Sequence, residues 1–207
     1  MTAPGYRLVL PSPWVRVALD GALEGRVSEL MDVAMASVPP EIPPDQVGPM
    51  RRRAEADLLG HLRAAREASG IDAYFPAGLM HGLRVLATFV VSSSVPDATA
   101  DAEMAARVTA HLLGEPGSRA VSIDDTTWVR RERDVAPDAP RRQGPQPAVA
   151  FGERRVEYRA PAPGEPRRWI SVVFSTGGDG DLDSRSTALV VDLFDAIMGT
   201  WRWSTER

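Results

Sequence analysis

Three aspartates near the end of the chain alternate with small and apolar residues in the segment GGDGDLDS at 177–184. Asp179, Asp181 and Asp183 place carboxylates at every second position beside flexible glycines, as calcium-binding loops do. The EF-hand register fails, because Ser184 stands where glycine is required and Val190 where the bidentate glutamate is required. We interpret the segment as the acidic start of a helix, with a cation site as the alternative.

Histidine is the other residue type that could act as a base or a ligand. His61, His81 and His111 are far apart in the sequence, and none belongs to an HExxH pattern. His81 lies in a predicted turn at 78–82, and loops are where functional residues concentrate. His81 with the aspartates of the 179–183 loop therefore gives one enzyme hypothesis, a metal-assisted or acid–base hydrolase.

The composition excludes several other chemistries. All 24 basic residues are arginine, and the chain has no lysine and no cysteine. It therefore cannot use a P-loop lysine, a Schiff-base lysine, a thiolate nucleophile or a thiolate zinc site. It also lacks a GxSxG elbow and a GxGxxG turn after a strand. We predict no catalytic residue, no metal and no cofactor for the favoured hypothesis below.

Arginines concentrate between residues 119 and 168, where 11 of them face 8 acidic residues. Such a patch attracts anionic partners. Acidic residues are interleaved, however, so we favour cross-strand ion pairs on a solvated face. The net charge of −4 argues against a nucleic-acid partner. The patch consists of Arg130, Arg131, Arg133, Arg154, Arg155 and Arg159, and the interleaved acids are Glu132, Asp134, Glu153 and Glu157.

Two tryptophans close the last predicted helix. Trp201 continues its apolar stripe and is predicted to be in the core. Trp203 lies off that stripe and, with Arg202, is a candidate anchor for a protein partner.

Alternation and capping signals predict the order β, α, α, β, α, β, β, β, α. Strands at 6–10 and 14–18 are interrupted by Pro11 and Pro13, which is typical of an edge strand or a bent hairpin arm. A helix after Asp20 must end before the proline-rich connector at 39–49, and a second helix begins near Pro49 and ends at Gly70.

The second half combines a central strand with hairpins. The central strand is predicted at 83–91, a helix is capped by Asp101, and Asp124 with Asp125 marks a turn or bulge within 119–133. A mobile loop near 136–148 precedes a hairpin formed by 154–160 and 168–175. Asp183 or Ser184 caps the last helix, whose predicted stripe is Leu189, Leu193, Phe194, Ile197, Met198 and Trp201.

These elements predict a single α+β domain over residues 1–207, a largely antiparallel sheet with helices on both faces. No stretch reaches the ~18 apolar residues of a membrane helix. The first residues lack the pattern of a signal peptide. We therefore expect a cytoplasmic protein without membrane insertion.

The pattern of the whole chain resembles the Mog1/PsbP-like α/β/α sandwich and uncharacterised actinobacterial proteins of that shape. The resemblance lies in Leu8-Val9-Leu10-Pro11 with Trp14, in the strand at 169–175 and in the helix end at 194–203. Two departures are the double helix at 20–70 and the loop at 136–147. The resemblance implies binding or assembly, since its better-known members dock onto a small GTPase or a photosynthetic complex, and it brings no catalytic residues.

The favoured hypothesis is a non-enzymatic binding or accessory module that acts through protein–protein contacts, with Trp203, Arg202, Arg130 and Arg155 at the interface. It predicts an exposed apolar patch without a deep polar pocket. The hydrolase built on His81 and the loop from Asp179 to Asp183 is the alternative, and an arginine patch for anionic ligands is a third. The identity of the protein partner and the formation of a homo-oligomer stay open.

Overall fold

The computed structural model describes residues 5–35, 42–95, 101–136, 152–178 and 180–204. It shows an α+β fold with a large antiparallel sheet and four helices. In chain order the elements are β1 (Gly5–Arg7), β2 (Trp14–Ala18), α1 (Leu23–Met35), α2 (Pro44–Glu67), β3 (Gly70–Pro76), β4 (Ala87–Ser94), α3 (Ala102–Leu113), β5 (Ser118–Ile123), β6 (Thr126–Val135), β7 (Glu153–Ala162), β8 (Glu165–Thr176), α4 (Arg185–Gly199) and β9 (Arg202–Ser204).

The main sheet has seven strands in the order β2-β3-β4-β8-β7-β6-β5, and all neighbours are antiparallel. The predicted edge position of β2 and the predicted hairpin of β7 and β8 are confirmed. β1 covers only Gly5–Arg7, so the predicted strand at 6–10 was wrong in its extent. It pairs with β9 in a separate two-stranded sheet. The sequence pattern did not predict β9, because three residues are too few to show an alternation.

Side chains that alternate along the strands divide the core between the two faces of the sheet. Phe89 of β4 belongs to a cluster that includes Phe194 and Met198 of α4. Its neighbour Val90 packs against the other cluster, which includes Val27 of α1 and Leu62 of α2. Helices therefore cover both faces, as predicted for the central strand.

The central strand starts later than predicted, at Ala87 instead of residue 83. Met80 and Leu83 exchange two backbone hydrogen bonds, each 2.9 Å long. His81 and Gly82, between them, have positive φ values of 48° and 81°. Residues 80–83 are thus committed to a tight turn, so the strand cannot extend back through them.

The second helix also has different bounds. α2 begins at Pro44, so the predicted start near Pro49 was wrong and the connector is shorter. The left-handed residue at its end is Ser69, with φ of 67°, and Gly70 is the first residue of β3. A Cβ on Gly70 would lie 2.6 Å from the carbonyl oxygen of Ala65, so this position requires glycine. Residues 36–41 and the predicted mobile loop, apart from residue 136, lie outside the described residues.

Several predicted local signals are confirmed. The Asp101 carboxylate accepts a 2.9 Å hydrogen bond from the amide of Met104 at the start of α3. Asp124 and Asp125 both have positive φ and form a tight turn, the first of the two predicted possibilities. The predicted single strand at 119–133 was wrong, because this turn divides it into β5 and β6. Ser184, one of the two predicted caps, accepts a 3.2 Å hydrogen bond from the amide of Thr187.

The predicted stripe of α4 is wrong at one position, since Leu189 is exposed while Thr187 and Val191 are buried. The Thr187 hydroxyl donates a 2.8 Å hydrogen bond to the carbonyl of Asp181, so this polar side chain is buried without loss of a hydrogen bond. None of the described helices is both long and apolar enough to cross a membrane.

Candidate functional site

Residues 77–86 join β3 to β4 and form what we call the leucine loop. Three of its side chains are exposed, Leu79 by 59%, Leu83 by 70% and Leu86 by 60%. Single exposed apolar residues are ordinary, but a group of them on one short loop is characteristic of an interaction surface. The leucine loop thus carries three exposed apolar side chains within eight residues.

The other residues of the leucine loop hold it against the core. Met80 and Val85 pack on the large core cluster, and the Trp14 indole lies 3.2 Å from the Met80 sulfur. At the far end, the Thr176 hydroxyl donates a 2.8 Å hydrogen bond to the carbonyl of Leu86. The three exposed leucines therefore extend from an anchored loop, which limits the entropy that ordering on binding would cost.

A groove of about 610 Å³ lies beside the two-stranded sheet and is lined by Val9, Arg202 and Trp203 among others. The segment from Val9 to Pro13 connects this groove to the leucine loop. Val9 donates a hydrogen bond to the Thr200 hydroxyl (2.9 Å), and Pro13 accepts one from the amide of Ala77 (3.0 Å). Four residues span at most about 14 Å, so the groove and the loop are near neighbours.

Trp203, one of the predicted interface residues, is half-buried. Its ring stacks on Trp128 with centroids 5.8 Å apart, and its indole nitrogen donates a 2.9 Å hydrogen bond to the hydroxyl of Thr126. Its amide donates a 2.7 Å hydrogen bond to the Asp124 carboxylate. A partner can therefore meet only the part of the ring that faces the groove, beside the exposed Arg202. Trp201 is completely buried, as predicted.

Arg130, another predicted interface residue, is buried. Its guanidinium pairs with both oxygens of Asp195, at 3.0 and 2.9 Å, and with Glu132 at 2.9 Å. The Tyr158 hydroxyl donates a further 2.9 Å hydrogen bond to Asp195. This arrangement leaves almost no surface of Arg130 for a partner. Arg155, the fourth predicted residue, is partly exposed and pairs with Glu153.

The remaining arginines of the patch form ion pairs on the two faces of β6 and β7. Arg133 and Arg159 share Glu157 at 3.0 and 2.7 Å, and Arg131 pairs with Glu115. Burial raises the pKa of Glu157, but the hydrogen bond from Arg133 and the charge of Arg159 outweigh it, and the pKa is lowered. The predicted cross-strand pairs are present between Arg133 and Glu157 and between Arg154 and Asp134. The prediction of a solvated face is wrong at Arg130 and Glu157, which are buried, and several arginines pair with acids of their own strand.

The described groups of the hydrolase hypothesis, His81, Asp181 and Asp183, belong to connections at one end of the sheet. β4 begins and β8 ends there, with Ala87 opposite Thr176. His81 is exposed at the tip of the leucine loop. Asp181 accepts a 3.0 Å hydrogen bond from the amide of Asp183, whose exposed carboxylate lies 3.4 Å from Arg154. Asp179 lies outside the described residues. Within the described part, no group of three or more histidine or acidic side chains is placed to hold a metal ion.

One polar cluster was missed by the sequence analysis. The hydroxyl of Tyr6 donates to buried Asp72 and lies 2.8 Å from the Tyr74 hydroxyl, and Arg16 donates a 2.8 Å hydrogen bond to Asp72. Burial raises the pKa of Tyr74 to about 12. Burial, together with the nearby Tyr74 and Asp72, also raises the pKa of Tyr6. The only signal was Asp72 and Tyr74 at alternate positions of one strand. Both phenols therefore stay protonated well above neutral pH, and the cluster forms a hydrogen-bond network that a change of pH near neutrality does not alter.

The fold and these surfaces define an α+β protein with an exposed apolar loop and extensive internal ion pairing. No family model and no curated protein matches the chain. A protein of Bacteroides thetaiotaomicron VPI-5482, known from a crystal structure at 1.50 Å resolution, is similar with a TM-score of 0.40 and 7% identity. The alignment covers 65% of this chain and 39% of that protein.

Proposed function

We propose that the protein is a non-enzymatic binding or accessory module that acts through protein–protein contacts, with the leucine loop at the centre of the interface. The observation that carries this proposal is the exposure of Leu79, Leu83 and Leu86 on a loop whose other apolar residues are anchored in the core. Burying a leucine is worth about 1.5–3 kcal/mol when the whole side chain leaves water. Leucines that are somewhat more than half exposed therefore each offer roughly 1–2 kcal/mol to a partner.

The neighbouring groove with Trp203 and Arg202 supports the same proposal. Protein interfaces combine a central apolar cluster with a rim of aromatic and arginine side chains. The leucine loop supplies the cluster, and the groove supplies the rim within about 14 Å along the chain. Arg130 has no part in this interface, because it is buried.

We extend the proposal to the fold family. A Mog1/PsbP-like sandwich is supported by the antiparallel order of the sheet and by helices on both faces. Docking onto another protein is the role that this resemblance implies. The cytoplasmic location stays a prediction of the sequence.

The proposal is tested by capture of partners from a lysate of the native host, followed by a binding titration with the purified partner. The variant changes Leu79, Leu83 and Leu86 to Ser, and the matched control is Val33→Ser, which replaces a side chain on α1 that is 62% exposed. We expect a stoichiometric partner whose affinity falls at least about 100-fold in the loop variant. The control should bind as the unmodified protein does.

A partner that binds the loop variant and the control equally would contradict the proposal, and so would the absence of any stoichiometric partner. Trp203→Ala tests the rim, where we expect a smaller loss, about tenfold. Circular dichroism and a urea unfolding curve show that each variant is folded before its affinity is compared.

A further inference from the structure

A second concave surface lies on the face of the sheet opposite α4, and we call it the serine groove. It has a volume of about 400 Å³ and lies between the end of α2, at Ala68 and Ser69, and the side chains of Val108 and Leu112 on α3. Volumes of this size are typical of sites for small molecules.

The floor of the serine groove consists of short polar side chains on two central strands. Ser92 of β4 lies opposite Ser171 of β8, and Ser94 lies opposite Trp169. Ser92 and Ser171 are half-buried, and Ser94, the last residue of β4, is exposed. Covered positions of a sheet usually carry branched apolar side chains that fill the space under the helices. Serines leave this space open. Among the hydrogen bonds found within the described residues, none uses the hydroxyls of Ser92, Ser94 or Ser171.

The walls and one end of the groove give it a chemical preference. Val108, Leu112 and Trp169 provide apolar surface, and the serine hydroxyls provide a few hydrogen-bonding groups. Arg159 lies in register with Ser171 on the neighbouring strand and lines the groove. It shares Glu157 with Arg133, so two cations face one carboxylate, which leaves a net positive charge beside the groove.

We propose that the serine groove binds a small carboxylate with an apolar chain. The apolar body of the ligand lies over Trp169 between Val108 and Leu112, and its carboxylate pairs with Arg159. This site is separate from the leucine loop, so its function does not depend on a protein partner.

The test uses octanoate and its neutral counterpart octanamide as probes, with isothermal titration and tryptophan fluorescence as readouts. We expect one octanoate to bind per chain. Ser171→Leu fills the floor and should weaken octanoate binding at least about tenfold. The matched control is Ser122→Leu, at an exposed position of the edge strand β5, and it should leave the affinity within about twofold.

A second pair of measurements tests the role of the charge. Arg159→Gln should weaken octanoate binding about tenfold and change octanamide binding less than about twofold. Trp169→Phe should remove the fluorescence change that octanoate causes. Failure of octanoate to bind, or equal binding by Ser171→Leu and Ser122→Leu, would overturn the proposal. Should Ser171→Leu unfold, Ser92→Val fills the same floor with a residue that favours strands.

Discussion

At the scale of single residues, the network around Arg130 shows how the protein tolerates a buried charge. Arg130 meets both oxygens of Asp195 and one of Glu132, and Tyr158 donates to the same Asp195. Burial alone would lower the pKa of Arg130, but the hydrogen bonds to Asp195 and Glu132 outweigh it and raise the pKa. A buried charge of this kind destabilises the folded protein when one of its partners is removed.

Asp195→Ala is therefore expected to destabilise the protein by about 3 kcal/mol, because it leaves Arg130 buried with one partner. The double variant Asp195→Ala/Arg130→Met should recover part of that loss, since it also removes the charge. Urea unfolding at neutral pH measures both free energies. Asp32→Ala is the control, because the carboxylate of Asp32 pairs with Arg51 on the surface and its loss should cost less than about 1 kcal/mol. A loss for Asp195→Ala as small as that of the control would contradict the prediction.

Part of the pairing of the arginines could be predicted from the sequence, whereas the burial of Arg130 could not. Alternation along β6 and β7 places Arg154 opposite Asp134, with which it pairs. Arg131 stands opposite Glu157 but pairs with Glu115, which the alternation does not predict. Asp195 belongs to α4, far away in the sequence, and only the packing of that helix on the sheet brings it over Arg130. Long-range packing of this kind has no local signal.

At the scale of elements, the sequence predicted the start of a helix where a local signal marks it, as at Asp101. At Asp124-Asp125 it predicted a turn or bulge within one strand, where the structure has the turn of a hairpin.

The sequence pattern predicted the turn at 78–82 but assigned Leu83 and Leu86 of the leucine loop to the following strand. Leu83 continues the alternation of the following strand, and the pattern alone cannot separate an exposed turn from a buried strand. Gly82 after His81 is the signal of the two-residue turn, and the structure shows positive φ at both residues.

The start of α2 gives a prediction at this scale. Pro44 is the first residue of the helix, where no amide hydrogen bond is lost, but Pro49 lies inside the helix. Pro49→Ala restores an amide donor and should raise the free energy of unfolding by about 1–3 kcal/mol. The control Pro44→Ala should change it by less than about 0.5 kcal/mol. Urea unfolding of the two variants measures the difference, and a Pro49→Ala variant no more stable than the Pro44→Ala variant would contradict it.

At the scale of the whole molecule, the three tyrosines join parts of the chain that are distant in sequence. Tyr6 of β1 stacks on Trp201 with ring centroids 4.2 Å apart and reaches Asp72 and Tyr74 of β3. It thereby ties the two-stranded sheet to the seven-stranded one. Tyr158 of β7 joins the sheet to α4 through Asp195. Burial, as the largest cause, raises the pKa of each of the three phenols.

This arrangement predicts that alkaline titration and unfolding coincide. A phenol has a pKa of about 10 in the unfolded chain, so the unfolded state loses its protons first as the pH rises. Stability due to the protonated phenols is complete below that pH and is lost as the pH rises towards about 12, the pKa of Tyr74 in the folded state. At a pH of about 11, the phenols of Tyr74 and Tyr158 are ionised in the unfolded chain but still protonated in the folded protein. Together they should lower the free energy of unfolding by roughly 3 kcal/mol relative to neutral pH.

The composition makes this measurement unusually direct. The chain has three tyrosines and neither lysine nor cysteine. Tyrosine is therefore the only type of side chain that titrates in the pH range between the pKa values of histidine and arginine. Tyrosinate absorbance and circular dichroism, followed together, should change in one transition. In a double variant with Tyr74→Phe and Tyr158→Phe, the free energy of unfolding should fall much less as the pH rises above neutral. Phenols that ionise near a pH of about 10 in a protein whose circular dichroism stays native would show that these hydroxyls are exposed to solvent, contrary to the network described.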